Sequence, residues 1–248
     1  MPTSHPQHSS PSTALVMFAK APIPGQVKTR LCPPLTPDEA ATLHGSFVLD
    51  TLERTKLAVT KLKLPLARYL ACAPSATHVF FKIMEERHGV NVMDQVGDDL
   101  GACMNQAFDV TFKRGHHQVM IIGTDVPTLP LDHVKQALAL LDSHDLVLGP
   151  ALDGGYYLIG LKRMTPELFT DIPWSTDHVL KLTQEKAATL GLKTALLKPW
   201  RDVDTLADLQ AISEACRADG KKSKQDRAFS SRTAGVLETL AKRLHSRA

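Results

Sequence analysis

The sequence lacks the features that mark membrane and secreted proteins. No apolar run in its 248 residues approaches the roughly 20 residues needed to span a bilayer, so we expect no membrane span. The first residues, MPTSHPQHSSPST, have neither a basic start nor an apolar core, and so we do not expect them to form a signal peptide. We expect residues 1–13 to be a disordered leader and the protein to be cytoplasmic.

Cysteine is scarce, and the sequence has no paired cysteines of the kind that mark a zinc or redox site. The chain has four, at Cys32, Cys72, Cys103 and Cys216, and they are widely scattered. We therefore interpret them as buried or idle thiols.

An excess of positive charge is also missing from the body of the chain. From Arg217 onward there are nine Lys or Arg and three Asp or Glu, so the preceding body carries −3 against +3 for the whole chain. The body gives no reason to expect a nucleic-acid partner. Residues 217–248 are expected to be a basic linker and a C-terminal helix. The apolar stripe of that helix would pack on its own domain or on a second copy in a homodimer, and its members are Val236, Leu237, Leu240 and Leu244.

Strand-like and helix-like segments alternate through the rest of the chain. The predicted strands are 14–19, 66–72, 90–93, 119–122, 145–150, 156–161 and 194–197. The predicted helices are 36–57, 76–87, 100–112, 131–141, 176–190 and 205–216. This order predicts a single Rossmann-like α/β domain over residues 14–216, with a mainly parallel central sheet and helices on both faces.

One acidic residue, Asp125, directly follows an apolar strand in IIGTDVPTL. Ligands of open parallel sheets bind at the carboxyl ends of such strands, and a carboxylate there suits a hard cation such as Mg²⁺. Pro127 and Pro130 prevent the strand from continuing and fix the turn into the next helix. The alternative is that Asp125 caps this turn.

The first strand leads into a basic loop, KAPIPGQVKTRL. Lys20, Lys28 and Arg30 could hold phosphate oxygens there, and Gly25 would let backbone amides approach a phosphate. The loop lacks the glycine spacing of a Walker motif. The alternative is an ordinary solvated basic loop.

Three later segments bring further acidic residues next to glycines or strand ends. In QVGDDLGACMNQAF, small residues could admit a base or ribose, and Asp99 could accept a hydrogen bond or cap a helix. In GPALDGGYYLIGL, Asp153 could act as a general base, although a hairpin turn explains the same residues. In KPWRDVDTLADL, Asp202 or Asp204 could be a second metal ligand, although Asp204 and Thr205 also resemble a helix start.

Taken together, these segments resemble the nucleotide-diphospho-sugar transferase superfamily, which has the GT-A fold. The resemblance is closest to the bacterial glycosyltransferase family labelled radical-SAM/selenodomain-associated transferase 1. It covers residues 15–210, and the motifs that carry it are FAKAPIPGQVKTRL, GDDLG, GTDVPTL, ALDGGYYLIGL, IPWST and DVDTLADL. The chain is also similar, more distantly, to the guanylyltransferases of molybdenum-cofactor and deazaflavin-cofactor biosynthesis, which have a single Asp followed two residues later by Pro. Here Gly123 occupies the first position of the usual glycosyltransferase Asp-x-Asp motif.

The resemblance implies roles for individual residues and a bound Mg²⁺ or Mn²⁺. The implied metal ligands are Asp125, Asp204 and Asp202, and the implied catalytic residues are Asp153, Lys28 and Arg30. The implied nucleotide-binding residues are Ala19, Lys20, Gly25, Lys28, Arg30, Asp99 and Gly101. The implied acceptor-binding residues are Gly154, Gly155, Tyr156 and Trp174.

Two reactions fit this site, and they differ in the product released. In glycosyl transfer, which we rank first, a nucleotide sugar donates its sugar to a small-molecule acceptor and a nucleoside diphosphate leaves. In nucleotidyl transfer, a nucleoside triphosphate reacts with a small phosphorylated metabolite and pyrophosphate leaves. A third hypothesis is a non-catalytic nucleotide-binding module.

Overall fold

A seven-stranded sheet forms the centre of the part of the chain that the computed structural model describes, residues 12–223 and 227–246. The strand order is β3-β2-β1-β4-β6-β5-β7. The strands are β1 (Thr13–Lys20), β2 (Leu66–Ala73), β3 (Asn91–Asp94), β4 (Gln118–Gly123), β5 (Leu146–Pro150), β6 (Tyr156–Leu161) and β7 (Thr194–Leu196). Strand β6 runs antiparallel to β4 and β5, and the other pairs are parallel. The predicted α/β fold with a mainly parallel sheet is confirmed.

The two central strands, β1 and β4, are buried on both faces, as their apolar sequences predict. Successive side chains of a strand point to opposite faces, so each strand contributes to two cores. Leu15 and Met17 pack in the core on one side of the sheet, whereas Ala14 and Val16 pack in the core on the other. The position of Asp125 follows from this arrangement, because β4 ends two residues earlier in the middle of the sheet.

Helices pack against the sheet, and four of them begin directly after a residue whose side chain caps the helix. The helices are α1 (Pro37–Thr60), α2 (Val79–His88), α3 (Leu100–Lys113), α4 (Leu131–Leu141), α5 (Val179–Thr189), α6 (Leu206–Asp219) and α7 (Ser231–Ser246). Thr36 and Glu39 form a capping box at the start of α1, and Thr205 and Asp208 form another at the start of α6. None of the helices among the described residues is both long enough and apolar enough to cross a membrane.

The C-terminal helix α7 packs on α1 of its own domain. Leu237 and Leu240, two members of the predicted stripe, are buried in a core with Phe47 of α1. Buried Asp50 of α1 accepts hydrogen bonds from Ser230 at 2.7 Å and from Thr233 at 2.6 Å. A homodimer through this stripe remains a prediction.

The structure corrects several predicted boundaries. Residues 1–11 of the expected leader lie outside the described residues, and its last residue, Thr13, is the buried first residue of β1. Helix α2 begins at Val79 because the ring of His78 caps it by accepting a hydrogen bond from Phe80. Helix α5 begins at Val179, after the left-handed Ser175, whose φ of 66° is incompatible with a helix. Helix α6 continues past Cys216 to Asp219.

Candidate active site

A cleft of about 400 Å³ lies at the carboxyl ends of β1 and β4. The loop after β1 forms one side of it, and the loop after β4 forms the other. Its lining includes six of the predicted site residues, namely Ala19, Lys20, Lys28, Arg30, Asp125 and Asp204. These residues come from three distant parts of the sequence, and the parallel arrangement of β1 and β4 brings the loops that carry them to one edge of the sheet.

Asp125 holds one carboxylate oxygen inside the protein and presents the rest of its side chain to the cleft. Its Oδ1 atom is buried and lies 2.7 Å from Nζ of Lys28, whereas the side chain as a whole is 38% exposed. Burial raises the pKa of this carboxyl, but the charge of Lys28 and the contact with His44 outweigh burial and hold it well below its usual range. Asp125 is therefore an ionised carboxylate with an oxygen accessible from the cleft.

Lys28 joins two carboxylates that are far apart in the sequence. Its Nζ atom lies 2.7 Å from Oδ1 of Asp125 and 2.7 Å from Oδ1 of Asp204, and its side chain is only 4% exposed. Burial lowers its pKa, but the two carboxylates outweigh burial and raise it above its usual value. Its φ of 49° is left-handed, which costs of order 1–3 kcal/mol for a residue other than glycine. The sequence predicted a phosphate contact for Lys28, whereas the structure places its ammonium between the two carboxylates.

His44 of α1 contacts the carboxylate of Asp125. The sequence did not identify it as a site residue. Its Nδ1 atom lies 3.4 Å from Oδ1 of Asp125, and its Nε2 atom lies 3.0 Å from the carbonyl oxygen of Lys20. A carbonyl oxygen can only accept, so we assign a proton to Nε2. In the sequence His44 is one histidine within an amphipathic helix, and nothing there distinguishes it from a core residue.

Three carboxylates form an acidic cluster next to the cleft. Oxygen atoms of Asp153, Asp202 and Asp204 lie within 4.8 Å of one another. Burial, together with the charges of Asp153 and Asp204, raises the pKa of Asp202 to about 7. Asp204 also contacts Lys28, so it connects this cluster to Asp125. Carboxylate oxygens are the ligands that Mg²⁺ prefers, and this arrangement could hold a divalent cation.

The DGG segment forms the hairpin connection that the sequence analysis left open as an alternative for Asp153. Strands β5 and β6 pair on either side of it, and Oδ1 of Asp153 accepts a hydrogen bond from the amide of Gly155 at 2.9 Å. Gly154 has a φ of 91°, and its α-carbon packs so closely on the backbone of Asp177 that a side chain would clash. The glycines thus shape the turn that carries Asp153 to the acidic cluster.

The remaining predicted nucleotide contacts lie outside the lining of the cleft. Asp99 caps α3 by accepting a hydrogen bond from Ala102 at 2.7 Å, which was the alternative reading of this residue. Gly101 lies so close to the ring of Trp174 that an added Cβ would overlap the indole. Gly25 has the expected positive φ of 78°, but it does not line the cleft.

Two of the predicted acceptor contacts, Tyr156 and Trp174, pack against the hydrophobic core between the sheet and α3. The hydroxyl of Tyr156 is buried, and burial raises its pKa above the usual value. The Trp174 ring stacks with Phe169, with ring centroids 6.5 Å apart. Both side chains therefore have packing partners in this structure, and their acceptor role remains a prediction.

Gln95, a second cleft residue that the sequence analysis missed, follows β3 directly. Its side-chain amide donates to the carbonyl oxygens of Ala19 at 3.1 Å and Ala71 at 2.8 Å. These bonds tie the end of β3 to β1 and β2 at the edge of the cleft. Its place after a short strand was a signal that could have identified it.

Comparison with known proteins places this architecture among transferases. Residues 56–176 match the family described as "Uncharacterized protein conserved in bacteria (DUF2064)". A solved structure from Desulfovibrio desulfuricans G20, described as a candidate nucleotide-diphospho-sugar transferase, is 33% identical. That similarity covers 93% of this chain and 96% of the other, with a TM-score of 0.80.

Two further similarities are more distant. A cytidylyltransferase from Leptospira borgpetersenii serovar Hardjo-bovis has the same fold, with a TM-score of 0.53 and 13% identity over 94% of this chain and 95% of that one. A 75-residue segment is 27% identical to 2-phospho-L-lactate guanylyltransferase of Methanocaldococcus infernus. The similarity covers 30% of this chain and 33% of the length of that enzyme.

Proposed function

This chain belongs to the nucleotide-diphospho-sugar transferase superfamily, and we propose that it transfers a sugar from a nucleotide-diphospho-sugar to a hydroxyl group of a small acceptor. One observation supports this proposal most strongly. The carboxylates of Asp125 and Asp204 both contact the ammonium group of Lys28, in a cleft that is also lined by Lys20 and Arg30. Carboxylates for a metal and cations for phosphates then face the same space, as transfer from a nucleotide donor requires.

Carboxylates of the cleft and of the adjoining acidic cluster fit Mg²⁺ or Mn²⁺. The candidate ligands, Asp125, Asp202 and Asp204, are all hard oxygen donors, and the side chains of Asp125 and Asp204 remain 38% and 37% exposed. When bound, the metal would stabilise the negative charge that develops on the departing diphosphate. Lys28 and His44 orient the Asp125 carboxylate, because both contact its buried oxygen.

The basic loop after β1 lines the part of the cleft that would hold the phosphates of the nucleotide donor. Lys20 and Arg30 are exposed and line the cleft, so their charges are available to phosphate oxygens. Lys28 lies deeper, where it neutralises the carboxylates.

Asp153, the member of the acidic cluster that is not a candidate metal ligand, lies on the acceptor side and favours a hydroxyl acceptor over a phosphorylated one. A hydroxyl can donate a hydrogen bond to its carboxylate, whereas the same charge repels an anionic acceptor. In the transfer, the acceptor oxygen bonds to the anomeric carbon and its proton passes to the Asp153 carboxylate. The bond from that carbon to the diphosphate breaks, and the nucleoside diphosphate leaves with the bonding electrons.

Nucleotidyl transfer is the second candidate, and the basic loop favours it. Lys20 and Arg30, the two exposed cations of this loop, suit the phosphates of a triphosphate, and a relative over part of the chain is a guanylyltransferase by name. Here an acceptor oxygen would attack the α-phosphorus, and pyrophosphate would leave.

Thermal unfolding in the presence of nucleotide sugars or nucleoside triphosphates, with and without Mg²⁺ or Mn²⁺, tests the proposal. A ligand that binds the folded state raises the melting temperature by mass action. We expect a nucleotide sugar to raise it only with metal, and we expect turnover to release a nucleoside diphosphate. Release of pyrophosphate would favour the second candidate, and no shift with any nucleotide would remove support from both.

The variant Asp125→Asn examines the metal site directly. It should abolish the metal-dependent shift and leave the fold intact, because amide and carboxylate have the same shape. The matched control is Asp171→Asn, whose side chain is 92% exposed on a loop remote from the lining of the cleft. Unchanged metal-dependent binding in Asp125→Asn would return Asp125 to a turn-capping role.

A further inference from the structure

A second cavity, of about 360 Å³, has largely apolar walls and is lined by chain neighbours of the acidic cluster. We call it the apolar pocket. Its apolar lining includes Leu152, Pro199, Trp200, Ile212, Ala215 and Phe229. An engineered cavity of about 150 Å³ holds benzene, and small-molecule sites begin near 300 Å³, so the pocket is large enough for a two-ring group.

The walls of the pocket are held in place by contacts among the lining residues and with their neighbours. The indole nitrogen of Trp200 donates to Oγ1 of Thr128 at 3.2 Å, and its ring meets the ring of His133 edge-on with centroids 5.2 Å apart. Phe229 is buried, and its amide donates to buried Asp219. A preformed cavity of this kind binds a ligand without a large cost of ordering.

Two chain segments contribute both to the apolar pocket and to the acidic cluster. Leu152, which is 55% exposed, lines the pocket, and the next residue is Asp153. Arg201 and Val203 line the pocket on either side of Asp202 in the chain. The pocket and the acidic cluster therefore share two chain segments, in which their residues are direct neighbours in the sequence.

The cations at the pocket already have acidic partners. Arg201 lies 2.9 Å from Asp208, and Lys222 lies 3.1 Å from Asp219. Since these charges are paired, the pocket offers no strong attraction to an anion. Its chemistry instead matches a neutral ligand with an apolar body.

We propose that the apolar pocket binds the apolar body of the acceptor, a neutral alcohol whose hydroxyl group lies at Asp153. This inference rests on the proposed function, because it assigns Asp153 to the acceptor. It limits the acceptor to an alcohol with an apolar group of about two rings or an equivalent branched chain, and it disfavours a free sugar or a phosphorylated metabolite.

The neutral alcohol 2-naphthol is a suitable probe, with binding measured by calorimetry. Ala215→Phe fills the pocket from the surface of α6, and Ala218→Phe places the same side chain on the same helix outside the pocket lining. We expect Ala215→Phe to weaken 2-naphthol binding at least tenfold and Ala218→Phe to change it by less than about twofold, since a filled pocket excludes the ring. Equal binding by wild type and Ala215→Phe, or no saturable binding by wild type, would overturn the proposal.

The hydroxyl part of the proposal has a separate comparison. Wild type should prefer 2-naphthol to 2-methylnaphthalene, and Asp153→Asn should reduce that preference because the amide is a weaker acceptor than the carboxylate. Equal affinity of wild type for the two probes would place the hydroxyl elsewhere. The rise in melting temperature caused by nucleotides, measured on the same proteins, tests the proposed function independently. If wild type binds 2-naphthol but no nucleotide raises its melting temperature, the donor site is refuted. If a nucleotide raises the melting temperature but wild type does not bind 2-naphthol, the pocket is refuted.

Discussion

Nζ of Lys28 lies 2.7 Å from Oδ1 of Asp125, almost completely shielded from solvent, and the same ammonium lies 2.7 Å from Asp204. The contact couples the loop after β1 to the loop after β4, and through Asp204 to the start of α6. The cation holds together two carboxylates that would otherwise repel each other. A divalent metal bound to these carboxylates would likewise neutralise their negative charges.

Replacing Lys28 by methionine should destabilise the metal-free protein and make its stability depend on metal. The variant keeps the length of the side chain but leaves Asp125 and Asp204 without their shared cation. Loss of one partner of a buried pair costs about 3–5 kcal/mol, and we expect about 1–3 kcal/mol here because both carboxylates are partly exposed. Thermal unfolding with and without Mn²⁺ should show a larger metal-induced rise in the variant than in wild type. The control is Lys20→Met, at an exposed position, and equal rises in wild type and Lys28→Met would contradict the prediction.

Replacing His44 by phenylalanine should weaken metal binding while the fold is retained. The buried ring contacts Asp125 and the Lys20 carbonyl, so its loss frees the carboxylate to rotate. Loss of a residue that orients a metal ligand usually lowers affinity by about 10–100-fold. Calorimetric titration with Mn²⁺ measures this loss, with His117→Phe as the control because His117 is exposed and remote from the cleft lining. An unchanged Mn²⁺ affinity would show that His44 only fills space.

Replacing Thr233 by valine should lower the free energy of unfolding without changing nucleotide binding. Thr233 is fully buried, and its hydroxyl donates to Asp50 at 2.6 Å. Valine has the same shape but leaves the buried carboxylate short of a donor, which costs about 1–3 kcal/mol. Urea unfolding should resolve this loss, whereas Thr239→Val, at an exposed position of α7, should change stability by less than about 0.5 kcal/mol. Equal stabilities of the two variants would show that the Asp50 network does not anchor α7.

Protonation of Asp219 at low pH should lower the stability of the protein. Burial raises the pKa of its carboxyl, but amide donors from Phe229 and Ala228 and the contact with Lys222 outweigh burial and hold the pKa below its usual value. Because the folded-state pKa is depressed, the stabilisation is complete above the unfolded value of about 4 and is lost as the pH falls through the folded-state value. The melting temperatures of wild type and Asp219→Asn should therefore differ most near pH 6 and converge towards about pH 2. A difference that does not depend on pH would assign the effect to packing alone.

The sequence by itself determined the fold class and the order of the elements. Apolar runs such as Val119–Ile122 are too short and too continuous for a surface helix, and they predicted strands that are buried on both faces. The predicted starts at Thr36 and Thr205 lie one residue before α1 and α6, and both threonines are the capping residues of these helices. The glycine at Gly191, with a φ of 66°, ended α5 near the position where the sequence predicted the stop. These features are local, so neighbouring residues are sufficient to specify them.

Only the tertiary structure decided which side chains meet. Lys28 and Asp204 are 176 positions apart, and no sequence pattern indicates that the lysine bridges two carboxylates instead of pointing towards a phosphate. His44 is one of eleven histidines, and its contact with Asp125 depends on how α1 packs beneath the loop after β4. The apolar pocket requires α6 and the segment before α7 to pack next to Trp200. Such contacts depend on the relative placement of whole elements, which is set by packing and not by local sequence.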